Sequence, residues 1–158
     1  MIYAMNDENY VFRSKQLTLH VSKKVINVWE NCRQTRKNNT EKFGVMIGYQ
    51  TDGDDEYWIE LVTTPFSNDR STRLSFLLQD KNHQNIVNTE FMESGGTSIY
   101  LGTWHTHPEN IPSPSVVDRK DWISCIKRNP DRQLFFVIVG IKELRVYVRN
   151  SFGFRKLY

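Results

Sequence analysis

Only two cysteines, Cys32 and Cys125, occur among the 158 residues, and they do not form a C-x-x-C pair. A disulfide framework and a four-thiolate metal site are therefore excluded, and both cysteines fall on expected apolar helix faces as free thiols. No run approaches 18 consecutive apolar residues, so no membrane span is expected. The opening, Met1 to Glu8, has no basic region leading into an apolar run, so no signal peptide is expected and a cytoplasmic protein fits. Charge of one sign is not in excess: 21 Lys and Arg against 18 Asp and Glu give +3. A pI near 8.9 is a weak argument for nucleic acid without a clustered patch. Basic residues do gather between Arg13 and Lys42, followed by acidic Asp52, Asp54, Asp55 and Glu56, and a solvated surface accounts for both. There are no internal repeats, linkers or low-complexity segments. What remains is a chain that is 39% hydrophobic and 13% aromatic, long enough to bury a core as one domain over residues 1–158.

The apolar patterning predicts a mixed sheet with two or three helices. Tyr10 to Phe12 reads as a short edge strand, and alternating Leu17, Leu19 and Val21 as a firmer one. Ser22 caps a helix carrying Val25, Val28, Trp29 and Cys32 at helical spacing. Phe43 to Gly48 reads as a buried strand, Asp52-Gly53 as a turn, and Tyr57 to Thr63 as the returning partner. Pro65 to Thr72 reads as a loop, Leu74 to Leu78 as a strand, and Asn82 to Ser94 as a helix with Ile86, Val87 and Phe91 inward, stopped by Gly95-Gly96. Ser98 to His107 is a strand, and Ser113-Pro114 starts a helix running over Ser115 to Arg128. Leu134 to Val139 is expected at the sheet centre, and Leu144 to Val148 has one wet face. The tail with Phe152 and Phe154 folds back as an edge.

Chemistry concentrates between Gly102 and Asp118. His105 and His107 stand one residue apart on a strand, so both side chains leave the same face roughly 7 Å apart. Two imidazoles placed so can converge on one ion at about 2.0–2.1 Å. The Pro108, Pro112 and Pro114 segment ends that strand. On the following helix, Asp118 shares a face with Ser115, Trp122, Cys125 and Ile126. A lone carboxylate on an apolar face is costly unless a cation answers it. Two histidines and one acid give three ligands and a fourth position for water, the plan of a catalytic zinc site. Ser115-x-x-Asp118 is equally a capping-box pattern, and both roles stay open.

The pattern His105-x-His107-x(7)-Ser115-x(2)-Asp118 resembles that of the JAMM (MPN+) metalloproteases, zinc isopeptidases that release ubiquitin-like modifiers from lysine. The resemblance implies a cytidine-deaminase-like α/β architecture over most of the chain. The family's upstream glutamate matches Glu41, ahead of Phe43-Gly44-Val45-Met46-Ile47-Gly48, with Glu60 as a fallback. Trp104 to Glu109, Pro112 to Asp118, Trp122, and the Asn68-Asp69-Arg70-Ser71-Thr72-Arg73 loop resemble a bacterial branch that accompanies CBASS antiphage operons. That branch implies a conjugate substrate in which the C-terminus of a cGAS/DncV-like nucleotidyltransferase (CD-NTase) is joined to a target lysine.

In that setting His105, His107 and Asp118 hold zinc, and Glu41 serves as general base and then acid. Ser115 donates to the oxyanion, and Arg70 and Arg73 steady the incoming tail. His20 and His83 are expected to be ordinary surface or half-buried residues, and Trp104 and Trp122 to pack around the site. The other readings are a peptidase for a true ubiquitin-like modifier or a small amide, and a metal-free MPN scaffold. Neither nucleic acid nor a membrane is an expected partner, and the residues leave oligomeric state open.

Overall fold

A computed structural model describes residues 4–6, 9–51, 53 and 55–158. The expected turn residue Asp52, acidic Asp54, and the opening residues Met1–Tyr3, Asp7 and Glu8 lie outside them. In chain order the elements are β1 (Ala4–Asn6), β2 (Asn9–Arg13), β3 (Thr18–Ser22), α1 (Lys23–Asn31), β4 (Phe43–Gln50) and β5 (Glu56–Val62). There follow β6 (Arg70–Ser71), β7 (Phe76–Leu77), α2 (Lys81–Glu93), β8 (Ile99–Thr106), α3 (Val116–Arg128), β9 (Phe135–Val139), β10 (Leu144–Asn150) and β11 (Gly153–Lys156).

Nine strands form one mixed sheet in the order β1-β2-β3-β5-β4-β8-β9-β10-β11, and β6 pairs with β7 apart from it. Two of the pairings are parallel, β3 with β5 and β8 with β9. Parallel neighbours need a long crossover. For β8 and β9 that crossover is α3, so the chain leaves the end of β8 and enters α3 on one side of the sheet. Sheet geometry therefore puts the last residues of β8 beside the first turn of α3.

The core divides between the two faces of the sheet. Leu19, Val21, Ile26, Trp29, Met46, Trp104 and Val137 fill the side covered by α1. Trp122, Cys125, Phe136, Ile138 and Tyr147 fill the side covered by α3. β9 has alternate residues in both, which explains why all five are buried and why the segment reads as an unbroken apolar run. It is nonetheless two strands in from the β11 edge, and β4 takes the middle position. Burial on both faces, not centrality, is what an unbroken apolar run reports.

Several expectations are corrected locally. The Tyr10–Phe12 strand is not an edge, since β1 pairs outside it. The strand expected over Leu74–Leu78 contracts to Phe76–Leu77, because its only ladder partner is β6, inside the expected loop, and Leu74 is 76% exposed. α2 begins at Lys81 on an Asp80 cap, and its buried residue is His83. Ile86 and Val87 are half-buried, while Phe91 is exposed. The Gly95-Gly96 stop holds, with both residues at positive φ. α3 is capped by Ser115, two residues after Ser113, because Asp118 completes that cap from the third helical position. Phe154 packs against Trp122, whereas Phe152 is wholly exposed at the β10–β11 turn. Both cysteines are free, Cys125 buried and Cys32 half-buried. No helix among the described residues is long and apolar enough to cross a membrane.

Candidate metal centre

β8 is held on both sides, with His105 opposite Phe43 of β4 and Ile138 of β9. His107 lies just past the strand but continues the ladder through its N–H to the Val139 carbonyl, 3.0 Å away. Both imidazoles are buried and converge, Nε2 to Nε2 3.0 Å. Asp118 completes the triangle: its Oδ1 is 3.2 Å from His105 Nε2 and its Oδ2 3.2 Å from His107 Nε2. Among the described residues, these three form the group of side chains able to hold an ion.

The donor chemistry can be tested on proton positions. His107 Nδ1 lies 2.7 Å from a carboxylate oxygen of Glu109. A carboxylate only accepts, so Nδ1 donates, and the neutral ring then presents a lone pair at Nε2. That lone pair faces the Asp118 carboxylate and the second imidazole. With that ring neutral, the acceptors that face one another at 3.0–3.2 Å are reconciled either by a proton shared between them or by a cation held among them. Tetrahedral ligands at about 2.0–2.1 Å from zinc are about 3.3 Å apart, so the residues present fit that ion.

Burial would raise the Asp118 carboxyl, but the two imidazoles and the Ser115 N–H outweigh it and hold the group ionised, well below the usual carboxylate range. Burial keeps His105 neutral. For His107 burial is outweighed by hydrogen bonds to Asp118 and Glu109, which raise it. A carboxylate behind a ligand histidine fixes its tautomer and basicity. Were zinc held by His107, Glu109→Ala would weaken its binding about 10–100-fold. Competition against a chromophoric chelator would measure this, and an unchanged affinity would remove Glu109 from the site.

Ser115 and Asp118 form a reciprocal cap. Asp118 N–H donates to Ser115 Oγ at 3.0 Å, and Ser115 N–H donates to Asp118 Oδ2 at 2.7 Å. The cap fixes the Asp118 rotamer. It also leaves Ser115 Oγ as an acceptor towards the helix, with its own proton directed elsewhere. The capping reading of Ser115 is thus satisfied without using up its hydroxyl donor.

Glu41 is buried at the entrance to β4, and its N–H donates to the Thr72 carbonyl. Burial raises its carboxyl from 4.5 to about 8, with His107 pulling it down and Asp118 adding to the rise. Glu41, Ser115 and Asp118 line one groove of about 1010 Å³, which runs between the 74–81 segment and α3. Exposed Leu74, Leu77 and Val117 form part of its apolar rim. Glu60, half-buried on β5, does not line it.

Arg70 is exposed and Arg73 half-buried, and neither lines the groove. Arg70 Nη1 donates to the Ser67 and Asp69 carbonyls, and Arg73 Nη1 to those of Arg36 and Lys37. His20 is half-buried, stacked on Trp58 and paired with Glu56. His83 departs from expectation: it is buried, with Asp69 2.6 Å from one ring nitrogen and Thr63 2.6 Å from the other.

The sequence reading missed Gln34, which is also buried. Its amide donates to the Asn39 and Arg73 carbonyls, and its oxygen accepts the hydroxyl of Thr106, the residue between the two histidines. Thr106 Oγ1 in turn accepts the Lys42 N–H, next to Glu41. No motif marks such a residue, since its partners are backbone groups distant in sequence.

A crossover α/β sheet presenting two imidazoles, a capped aspartate and a buried glutamate at a groove belongs to the class of folds with a side-chain group that could hold a single ion. Comparison with known proteins agrees with that class. Residues 30–152 match the family of prokaryotic homologs of the JAB domain. Relatives named "CD-NTase/cGAS isopeptidase" are 33% identical: one from Escherichia coli over 79% of this chain and 78% of its own, and one from Vibrio cholerae over 88% and 87%. A third with that name, from Pseudomonas aeruginosa, is 33% identical over 81% and 80%. The fold is shared with a Desulfitobacterium hafniense protein solved in solution, at TM-score 0.59 and 23% identity, covering 86% of this chain and 87% of that one. The chain belongs to the prokaryotic JAB-domain family, within the JAMM/MPN group.

Proposed function

We propose that this protein is a zinc-dependent isopeptidase that hydrolyses the amide between the C-terminus of a CD-NTase-type protein and a target lysine. The observation that carries the reading is the triangle of acceptor atoms at 3.0–3.2 Å, set beside buried Glu41 at the mouth of a groove. The ion that His105, His107 and Asp118 would hold supplies Lewis acidity, polarising a carbonyl and making water acidic enough to attack near neutral pH. Glu41 takes the proton of the attacking water and passes it to the lysine Nζ as the C–N bond breaks. Ser115 directs its hydroxyl proton at the oxygen that gains charge when the carbonyl carbon becomes tetrahedral. The apolar rim formed by Leu74, Leu77 and Val117 suits an extended tail. Arg70 and Arg73, which each keep guanidinium N–H groups besides those held by the loops, meet that tail from its flank.

The names of the three relatives support the substrate class, and the CBASS-like motifs support a role in regulating antiphage defence in the cytoplasm. Residues 1–158 are read as one metallopeptidase domain. The test uses a reporter lysine carrying a CD-NTase tail in isopeptide linkage, beside the matching ubiquitin conjugate. The zinc-loaded protein is expected to release the first with an intact C-terminal carboxylate, read by mass. A chelator should abolish release and added zinc restore it. Preference for ubiquitin would favour a ubiquitin-like modifier as the substrate, and inertness towards both with zinc bound would overturn the reading.

A further inference from the structure

The most densely bonded buried polar cluster away from the metal ligands is Asp69, His83 and Thr63. One Asp69 oxygen accepts the N–H groups of Gln79 and Asp80, and the other accepts those of Phe66 and the His83 ring. A single carboxylate therefore ties residue 66 to residues 79 and 80, closing both ends of one loop. Burial alone would raise this carboxyl, yet these donors hold it at about 2.

Since Asp69 only accepts, His83 Nε2 carries a proton, and Nδ1 on the other side of the ring is hydrogen-bonded to the Thr63 hydroxyl at 2.6 Å. Thr63 Oγ1 also accepts the Val45 N–H, and its carbonyl accepts the indole N–H of Trp104, the neighbour of His105. At this point the strands are too close for any side chain, and a Cβ on Gly44 would collide with the Thr63 carbonyl. The loop is thus anchored through α2 to β4 and β8, the two strands that carry the site.

The loop touches the site twice. Its Thr72 carbonyl receives the Glu41 N–H, and its Phe76 ring stacks on Phe43 and lies 5.0 Å from the His105 ring. We infer that Asp69, His83 and Thr63 are positioning residues: they hold the 66–80 loop so that it fixes Glu41 and braces His105. The inference deepens the isopeptidase reading and rests on it for its catalytic consequence.

The test pairs Thr63→Val, which keeps shape but removes the hydroxyl, with Thr63→Ser, which keeps the hydroxyl. Hydrogen exchange in the zinc-loaded protein reads the mechanical part without any substrate. In Thr63→Val the Glu41 amide is expected to exchange about tenfold or more faster, while the Phe135–Val139 amides keep their protection. Bound zinc should remain at wild-type stoichiometry. On the conjugate, kcat should fall about tenfold or more with KM within about twofold, because a displaced base slows the chemical step. Thr63→Ser should restore both readouts. If Thr63→Val does not fold, Asp69→Asn carries the same test, since its amide points donors at donors. An unchanged Glu41 exchange rate, a uniform rise across β9, or an effect on KM alone would overturn the inference. A wild-type protein that cleaves no isopeptide would instead overturn the function and leave the exchange result standing.

Discussion

His105→Ala is expected to leave the protein with almost no bound zinc and with hydrolysis at background, a loss of about ten-thousandfold or more. The size follows from the geometry. His105 Nε2 lies 3.0 Å from His107 and 3.2 Å from Asp118, so its removal takes away one corner of a three-sided cage. Two ligands cannot hold an ion firmly while its other positions carry water or substrate. Because His105 is fully buried against Phe76, the change also opens a void, and melting must be followed alongside metal content. A variant that folds and still carries one zinc per chain by elemental analysis would refute the ligand assignment.

Glu41→Gln separates the base from the cage. Glutamine keeps the shape and the backbone N–H to Thr72 but cannot take a proton. Turnover is expected to fall about 10²–10⁴-fold, the usual contribution of a general base, with zinc retained. The same variant should change the behaviour of the metal-free protein with pH. Glu41 is raised by burial from 4.5 to about 8, so the folded state binds an extra proton between those values. Metal-free wild type should therefore lose stability as pH rises through that window, and the glutamine variant should lose that part of the slope. Loaded zinc, a nearby dication, favours the carboxylate and should flatten the slope in wild type. Normal turnover in Glu41→Gln would show that another group moves the proton.

The convergence of His105, His107 and Asp118 was legible because its chemistry is local. A strand period of two and a helix start supply His105, His107 and Asp118 from one short stretch, and elementary geometry brings them together. Most elements were legible for the same reason, as alternation and helical spacing are short-range patterns. What was missed depends on long-range partners. His83 looked ordinary because its bonds reach Thr63 and Asp69, 20 and 14 residues away. Gln34 meets Thr106 across 72 residues. Arg70 and Arg73 were read as contacts for an incoming tail, and the loop carbonyls that also engage them are fixed only when the loops fold. Leu74 was placed in a strand by its composition, yet it stands exposed at a groove rim, where apolar surface is useful without being buried.

The crossover that makes β8 and β9 parallel has one more consequence. His107 stands at one end of the Pro108–Pro114 segment and Asp118 just beyond the other, so an ion held by both would close into a small ring a segment whose Glu109 and Asn110 carbonyls are already tied to the turn after β9. Without it the ring would open at Asp118, while the bonds to Ile141, Lys142 and Glu143 keep the segment on the nine-stranded sheet. The same ion that would serve the chemistry would thus also splice strand to helix.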